Sequence, residues 1–302
     1  MTTRWQPPVA LLLITGLFWL LLDAADVHAA VKEGLELCAN SAIPALFPFL
    51  AVSSLLIAVG FGEWMTQPLS GFMRLYRIGG AGASALFLGL LGGYPVGAKT
   101  AAELYQERLV SRDEAERLLS FCNNSNPAFL INVLGLGVFH SLRIGVWLWL
   151  IHLLSALIAG LLVGRRGSGS PGTGRRPCAR TTSFSAAFVT AVRSALTAML
   201  SICAFVVFFY VMVLPLRRIP GLAATTLTGL IELFSAAARL PDTPVGFILS
   251  AMLAGWGGIS VHCQTLSVLS GSDLSPRLYL TGKAAQGLIS AALAALLAGY
   301  VF

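Results

Sequence analysis

The chain has 302 residues, of which 56% are hydrophobic and only 11% are charged, and its mean hydropathy is +0.80. These values lie outside the range of soluble globular domains and predict an integral membrane protein. The net charge of +7 does not indicate a nucleic-acid partner, because the basic residues form no groove-lining face.

Five apolar stretches are long enough, or nearly so, to span or deeply enter a bilayer, which takes about 20 helical residues. They are Pro7–Leu22, Ile43–Phe61, Val146–Val163, Leu196–Leu216 and Leu288–Phe302. The first lies between a basic end and a small-residue tail. We interpret residues 1–30 as a signal-anchor helix, and a cleaved signal peptide is the alternative.

A basic segment rich in glycine, serine and proline, residues 164–183, divides the chain. Its composition predicts a flexible linker, and its arginines place it in the cytoplasm. Residues 31–163 and 184–302 then follow the same order: an amphipathic opening segment, an apolar span, a glycine-rich break, a short helix and a closing span. We interpret them as repeated halves. Loop charges do not decide between parallel and inverted repeats, and inverted repeats are favoured because carriers use them often.

Two glycine-rich breaks, residues 92–99 and 255–264, interrupt apolar sequence at corresponding places in the halves. An ungapped alignment matches Gly93, Val96, Thr100 and Leu109 with Gly258, Val261, Thr265 and Leu274. A helix can break inside a membrane only where protein buries the freed backbone or a cavity hydrates it. Paired breaks therefore point to a substrate path near the midplane. The alternative is that the glycines only permit close helix packing.

The first break superficially resembles a phosphate-binding loop, but Ala98 separates Gly97 from Lys99, so the spacing excludes nucleotide hydrolysis. Pro95 instead predicts a helix that begins near it. The N-terminus of that helix would carry free N–H groups and about half a positive charge. Lys99 adds a full charge one turn later.

The second break supplies further hydrogen-bond donors. Ser260 is predicted to cap a helix that runs from Val261. Two helix N-termini and a lysine would together form an anion site. A polar run before Pro127 adds amides to this site, with a simple surface turn as the alternative. The predicted substrate-binding residues are Gly93, Tyr94, Pro95, Gly97, Lys99, Asn123, Asn124, Gly257, Gly258, Ser260, His262 and Gln264.

Other polar residues receive separate interpretations. Glu232 lies in an apolar run and is a candidate for carrying a coupling proton or for pairing with Lys99 or Lys283. If its helix lies at the interface instead, Glu232 would be solvated. The strongly charged stretch Ala101–Leu119 contains a capping box, Ser111 with Glu114, which predicts a second helix. Its charge favours a solvated hairpin at the membrane surface, and a docking surface is the alternative.

Neither a cofactor, nor a metal site, nor an enzymatic activity is predicted. The five cysteines lack CxxC spacing, and no histidine has a partner at ligand spacing. Ser260 and His262 are two residues apart, so on a helix they point to different faces, and no carboxylate accompanies them.

Several stretches together resemble the YlbJ-type sporulation integral membrane proteins of the wider Gate, or nucleoside-recognition, membrane domain family. They span nearly the whole chain in the expected order, although Asn126 stands where the family pattern has glycine. These stretches are Ile43–Phe49, Gly93–Lys99, Glu114–Asn124, Asn126–Phe129 and Gly255–Gln264. The resemblance implies a multi-pass protein of the bacterial cell membrane, or of the membranes around the forespore if the organism sporulates.

The resemblance also implies a transport role, with dipicolinic acid as the substrate during sporulation. The expected fold is therefore all-α: a polytopic helical membrane protein with two repeated halves and broken or re-entrant helices. The expected function is a carrier for a small organic anion that works by alternating access around the breaks. A non-transporting scaffold in a sporulation-related complex is the alternative, and association into a homo-oligomer is left open.

Overall fold

The computed structural model describes residues 6–59, 61–164 and 183–302. No strand occurs in these ranges, where the chain forms fifteen α-helices and two π-helical segments. The α-helices are α1 Gln6–Leu22, α2 Ala24–Leu37, α3 Ile43–Ala58, α4 Phe61–Leu75, α5 Gly82–Gly92, α6 Val96–Gln106, α7 Arg112–Cys122, α8 Leu142–Gly164, α9 Phe184–Met212, α10 Leu214–Arg217, α11 Leu222–Ile231, α12 Leu233–Ala237, α13 Pro244–Trp256, α14 Ile259–Leu269 and α15 Arg277–Val301. The π-helical segments are π1 Cys38–Ala42 and π2 Phe129–Leu136.

Four helical stretches among the described residues are long and apolar enough to cross a membrane: Leu142–Val163, Phe184–Met212, Pro244–Leu269 and Arg277–Val301. A fifth span results if α1 and α2, which meet at an angle of 92°, are counted together. The prediction of an all-α polytopic membrane protein is therefore confirmed. Pro244–Leu269 is not among the apolar stretches predicted to span, because the second break lies inside it.

The N-terminal bend is held by ion pairs to the second half of the chain. Arg218 binds Asp23 at 2.8 Å and also contacts Asp26, and Arg217 binds Glu33 at 2.6 Å. The boundary predicted between residues 30 and 31 falls inside α2, so the signal-anchor segment and the opening of the first half share one helix. The predicted linker, residues 164–183, lies outside the described residues except for its two end positions.

The two halves agree in backbone geometry where the breaks align. Gly93 and Gly258 both have positive φ, +78° and +88°, which only glycine adopts readily. In the same register, α7 begins at Arg112 and α15 begins at Arg277. These agreements are consistent with the predicted internal repeat, which stays a prediction.

Apolar packing forms two cores. One contains residues of α3, π2, α8, α9 and α13, and the other contains residues of α4 to α7 and the start of α15. The capping box of α7 is present, as predicted. The prediction of a solvated hairpin is wrong for α7, however, since Glu114 and Arg117 are 1% and 2% exposed. Both side chains form hydrogen bonds to backbone groups inside the protein: Arg117 donates to the Arg77 carbonyl, and Glu114 accepts from the Gly79 N–H.

Candidate functional site

The two glycine-rich breaks meet in the interior of the protein. The Tyr94 hydroxyl, in the first break, donates to the Ala254 carbonyl at 3.3 Å. A Cβ atom on Gly257, in the second break, would lie 3.0 Å from the same hydroxyl. The fold therefore joins two regions that are about half the chain apart in sequence.

Both breaks are followed by a helix. α6 begins at Val96 directly after Pro95, which confirms the predicted start. α14 begins at Ile259, so Gly258 is its N-cap and the prediction of Ser260 as the cap is wrong. Gly258 takes this position because its positive φ lets the chain turn there, so the helix begins at Ile259 and already contains Ser260.

The polar run after α7 is buried, so its interpretation as a surface turn is wrong. Asn123 and Asn124 are fully buried, and Asn126 is 4% exposed. The Asn123 side chain accepts from the Ala98 N–H in α6 at 3.4 Å and donates to Thr265 in α14 at 2.8 Å. It therefore links the helices that follow the two breaks. The Asn126 side chain accepts from the Phe129 N–H, at the first residue of π2, at 2.8 Å.

Lys283 of α15 occupies the centre of this polar region and is completely buried. Its ammonium donates to the Tyr94 hydroxyl at 3.0 Å, to the Asn123 carbonyl at 3.3 Å and to the Gln286 side chain at 2.7 Å. No carboxylate pairs with it among the residues that the structure describes. The Lys283 amine thus bonds only to neutral oxygens and lies 5.1 Å from the centroid of the Tyr94 ring.

Further hydrogen bonds extend the region to α8. Gln286 donates to the Asn124 side chain at 3.0 Å, and His152 of α8 accepts from the Ser125 N–H at 3.1 Å. We call the connected group the inner polar cluster. Its members are Tyr94, Asn123, Asn124, His152, His262, Thr265, Tyr279, Lys283 and Gln286.

His262 joins the cluster on the side of the second break. Its Nδ1 atom lies 2.8 Å from the Tyr279 hydroxyl, and its ring stands edge-on to Trp256. Its Nε2 atom and the Ser260 hydroxyl are buried and have no hydrogen-bond partner within the described part of the chain. Buried polar atoms are rarely left unpaired unless a ligand or water meets them.

Lys99 lies outside the inner polar cluster, contrary to the expectation that it supplies the charge of the site. Its side chain is 51% exposed, bonds to Ser194 at 3.1 Å and lies 4.0 Å from Glu103. The corresponding position in the second half holds Gln264, which is 3% exposed. The buried cation at the junction of the breaks is therefore Lys283.

Four members of the inner polar cluster are not among the predicted site residues: His152, Tyr279, Lys283 and Gln286. Tyr279, Lys283, Gln286 and Ser290 recur every three or four residues along an otherwise apolar span and are all buried. Such spacing places them on one helix face. This periodicity could have identified α15 as a wall of the site.

A cavity of about 40 Å³ lies beside the cluster, and we call it the inner cavity. It reaches both breaks, since Tyr94 lines it from the first and Val261 and Gln264 line it from the second. Ser125 and Phe234 are also in its wall. It is large enough for water and too small for an organic acid.

Glu232 occupies an interruption of its own between α11 and α12. It is 1% exposed, so the alternative of a solvated carboxylate is wrong. Its side chain caps α12 by accepting from the Phe234 N–H at 3.1 Å and from the Ser235 N–H. It forms no ion pair with Lys99 or Lys283.

Comparison with known proteins agrees with this architecture. No protein-family model matches the chain, and no solved structure matches it. The chain is similar to the sporulation integral membrane protein YlbJ of Bacillus subtilis (strain 168), with 28% identity over an alignment of 335 residues. The alignment covers 95% of this chain and 82% of the relative. The chain is therefore an integral membrane protein with similarity to YlbJ.

The YlbJ-like stretches of the sequence converge in space. Gly93–Lys99 supplies Tyr94, Glu114–Asn124 supplies two asparagines, and Gly255–Gln264 supplies His262 to the inner polar cluster. Ile43–Phe49 reaches the inner cavity through Leu46. These stretches therefore supply four of the nine members of the inner polar cluster, and Lys283 lies outside them.

Proposed function

We propose that this YlbJ-like protein is a membrane carrier for a small organic anion and works by alternating access around the two breaks. The observation that carries the proposal is Lys283, a buried cation without a carboxylate partner that bonds to the first break. The resemblance favours an aromatic dicarboxylate such as dipicolinic acid as the substrate.

The charge balance supports an anion. A buried ammonium is costly unless an opposite charge compensates it, and charged residues within membrane spans usually mark substrate or ion pathways. Lys283 is fully buried in a candidate span, and only neutral oxygens hold it. An organic anion at the inner polar cluster would supply the missing negative charge.

The cavity supports a carrier over a scaffold. A scaffold needs only a dry, tightly packed junction, whereas the inner cavity touches both breaks and has polar groups in its wall. Its volume of about 40 Å³ does not admit the substrate, so we assign this arrangement to a closed state. Movement at the breaks would open it to either side.

No bond chemistry is part of the proposal, and we hold that the protein is not an enzyme. Ser260 and His262 would have to act together as nucleophile and base, yet they lie two residues apart on α14 and no hydrogen bond joins the Ser260 hydroxyl to His262 Nε2. Glu232 is proposed to carry a coupling proton, because it is a buried carboxylate beside the second break.

The test is uptake of aromatic and dicarboxylic acids into proteoliposomes that contain the full chain. Lys283→Gln removes the charge and keeps hydrogen-bonding capacity. We expect it to lower the rate of anion uptake by at least about tenfold, the equivalent of about 1.4 kcal/mol. Lys99→Gln is the matched control and should retain most of the rate, because Lys99 lies outside the cluster.

Two results would contradict different parts of the proposal. Saturable uptake that Lys283→Gln leaves unchanged would reject Lys283 as the binding cation. Absence of uptake for every acid tested would reject the carrier and favour the scaffold. Melting curves of the purified variants in detergent separate loss of folding from loss of transport.

A further inference from the structure

A second, larger cavity lies beside the inner one. It has a volume of about 440 Å³, and we call it the outer pocket. Both π-helical segments line it: π1 contributes Asn40 and Ser41, and π2 contributes Asn132. π-helical turns are rare and occur often at functional sites, so the convergence of two of them on one pocket is informative.

The chemistry of the outer pocket is that of a site for a small acid. Asn40, Ser41 and Asn132 offer amide and hydroxyl donors, and these side chains have no hydrogen-bond partner among the described residues. The remaining wall is apolar and includes the ring of Phe234. Neutral donors can bind carboxylate oxygens while an apolar wall contacts a flat organic body. No charged side chain lines the pocket, so binding would be weaker than at Lys283.

Phe234 separates the two cavities, because it lines both of them. Its ring stands edge-on to Phe129, another wall residue of the inner cavity, with the ring centroids 4.7 Å apart. Its backbone is fixed by Glu232, whose carboxylate accepts the Phe234 N–H. An aromatic pair anchored in this way closes the direct path from one cavity to the other.

We propose that the outer pocket is an access site for the small organic acid and that Phe234 is the gate between this site and the inner cavity. This inference rests on the proposed transport function. The acid would bind first to Asn40, Ser41 and Asn132, and rotation of Phe234 would then admit it to Lys283. A lipid acyl chain is the competing occupant of the pocket.

The access site is tested by uptake kinetics with pyridine-2,6-dicarboxylate in proteoliposomes. Asn40→Ala with Asn132→Ala should raise KM about three- to tenfold and leave the maximal rate largely unchanged, since donors are lost only at the first contact. Leu136→Ala is the matched control, because Leu136 is 46% exposed on π2 and does not line the pocket. An unchanged KM in the double variant would reject the access site. Occupation of the pocket by added lipid and not by the acid would also reject it.

The gate is tested separately by thiol labelling, which requires no transport. Ser125→Cys places a thiol in the wall of the inner cavity. The rate of labelling at this thiol is the labelling that exceeds that of the native cysteines in the parent chain. Phe234→Ala should accelerate the labelling by about tenfold or more, and Phe234→Trp, which enlarges the ring, should slow it. Equal labelling in all three backgrounds would overturn the gate. If the parent chain takes up no acid, the proposed function fails, and the labelling result still decides the gate.

Discussion

The two glycine-rich breaks have similar backbone conformations and different neighbours. At the first break, a Cβ atom on Gly97 would lie 2.1 Å from the Cys122 carbonyl oxygen, so backbone packs directly on backbone. The register that pairs Gly93 with Gly258 places His262 at the position of Gly97. There a full side chain has room between Trp256 and Tyr279. At these aligned positions the first break is therefore more tightly packed than the second.

The interruption beside each break differs as well. A Cβ atom on Gly93 would lie 2.9 Å from the Asn126 Cβ, within the polar run after α7. A Cβ atom on Gly258 would lie 3.2 Å from the Ile231 carbonyl, next to Glu232. One half thus places neutral amides beside its break, and the other places a buried carboxylate there. We infer that the second half is the one whose arrangement responds to protons.

The largest effect is expected from Gly97→Ala. The added methyl group would meet backbone atoms that cannot move aside, so we expect a loss of at least about 3 kcal/mol in folding free energy, the upper end for overpacking. The measurement is the thermal midpoint of the purified protein in detergent. Gly71→Ala is the control: no atom would lie within 4 Å of its Cβ, and alanine favours helix over glycine by about 1 kcal/mol. Equal midpoints for the two variants would show that the first break is not rigidly packed.

A smaller and more discriminating effect is expected from Gly93→Ala compared with Gly258→Ala. Both residues combine positive φ with extended ψ, a region essentially restricted to glycine, so each substitution should cost about 1–3 kcal/mol of backbone strain. Gly93→Ala adds contact with Asn126 and should therefore lower the thermal midpoint further than Gly258→Ala. The reverse order would contradict the conclusion that the first break is the more tightly packed one.

The sequence predicted the local features of these breaks and missed the contacts between distant segments. Pro95 and the capping box at Ser111 set helix starts through their own chemistry, so both could be read directly. The choice between Lys99 and Lys283 depends on the packing of α15 against α7 and α8 and on which helix faces point inward. Periodicity along α15 indicates such a face, but it does not identify the segments that pack against it.

The burial of charge was the least predictable property. The charges of Glu114 and Arg117 are typical of a solvated helix, yet both side chains are buried, where Glu114 accepts from the Gly79 N–H and Arg117 donates to the Arg77 carbonyl. Asn126, which departs from the family pattern, is explained by its bond to the Phe129 N–H. The burial of the α7 charges and the role of Asn126 both depend on hydrogen-bond partners that the fold brings close. No spacing of residues along the chain indicates those partners.

The smallest effect on stability is expected from Glu232→Gln. The glutamine oxygen can still accept from the Phe234 or Ser235 N–H, so the folding free energy should fall by no more than about 1 kcal/mol. The variant cannot exchange a proton, however. If Glu232 carries the coupling proton, a pH gradient that stimulates anion uptake by the parent chain should not stimulate uptake by this variant. Glu107→Gln, at an exposed position of the first half, should keep the stimulation. If pH gradients stimulate uptake by Glu232→Gln as strongly as uptake by the parent chain, Glu232 does not carry the coupling proton. The two halves would then differ only in packing.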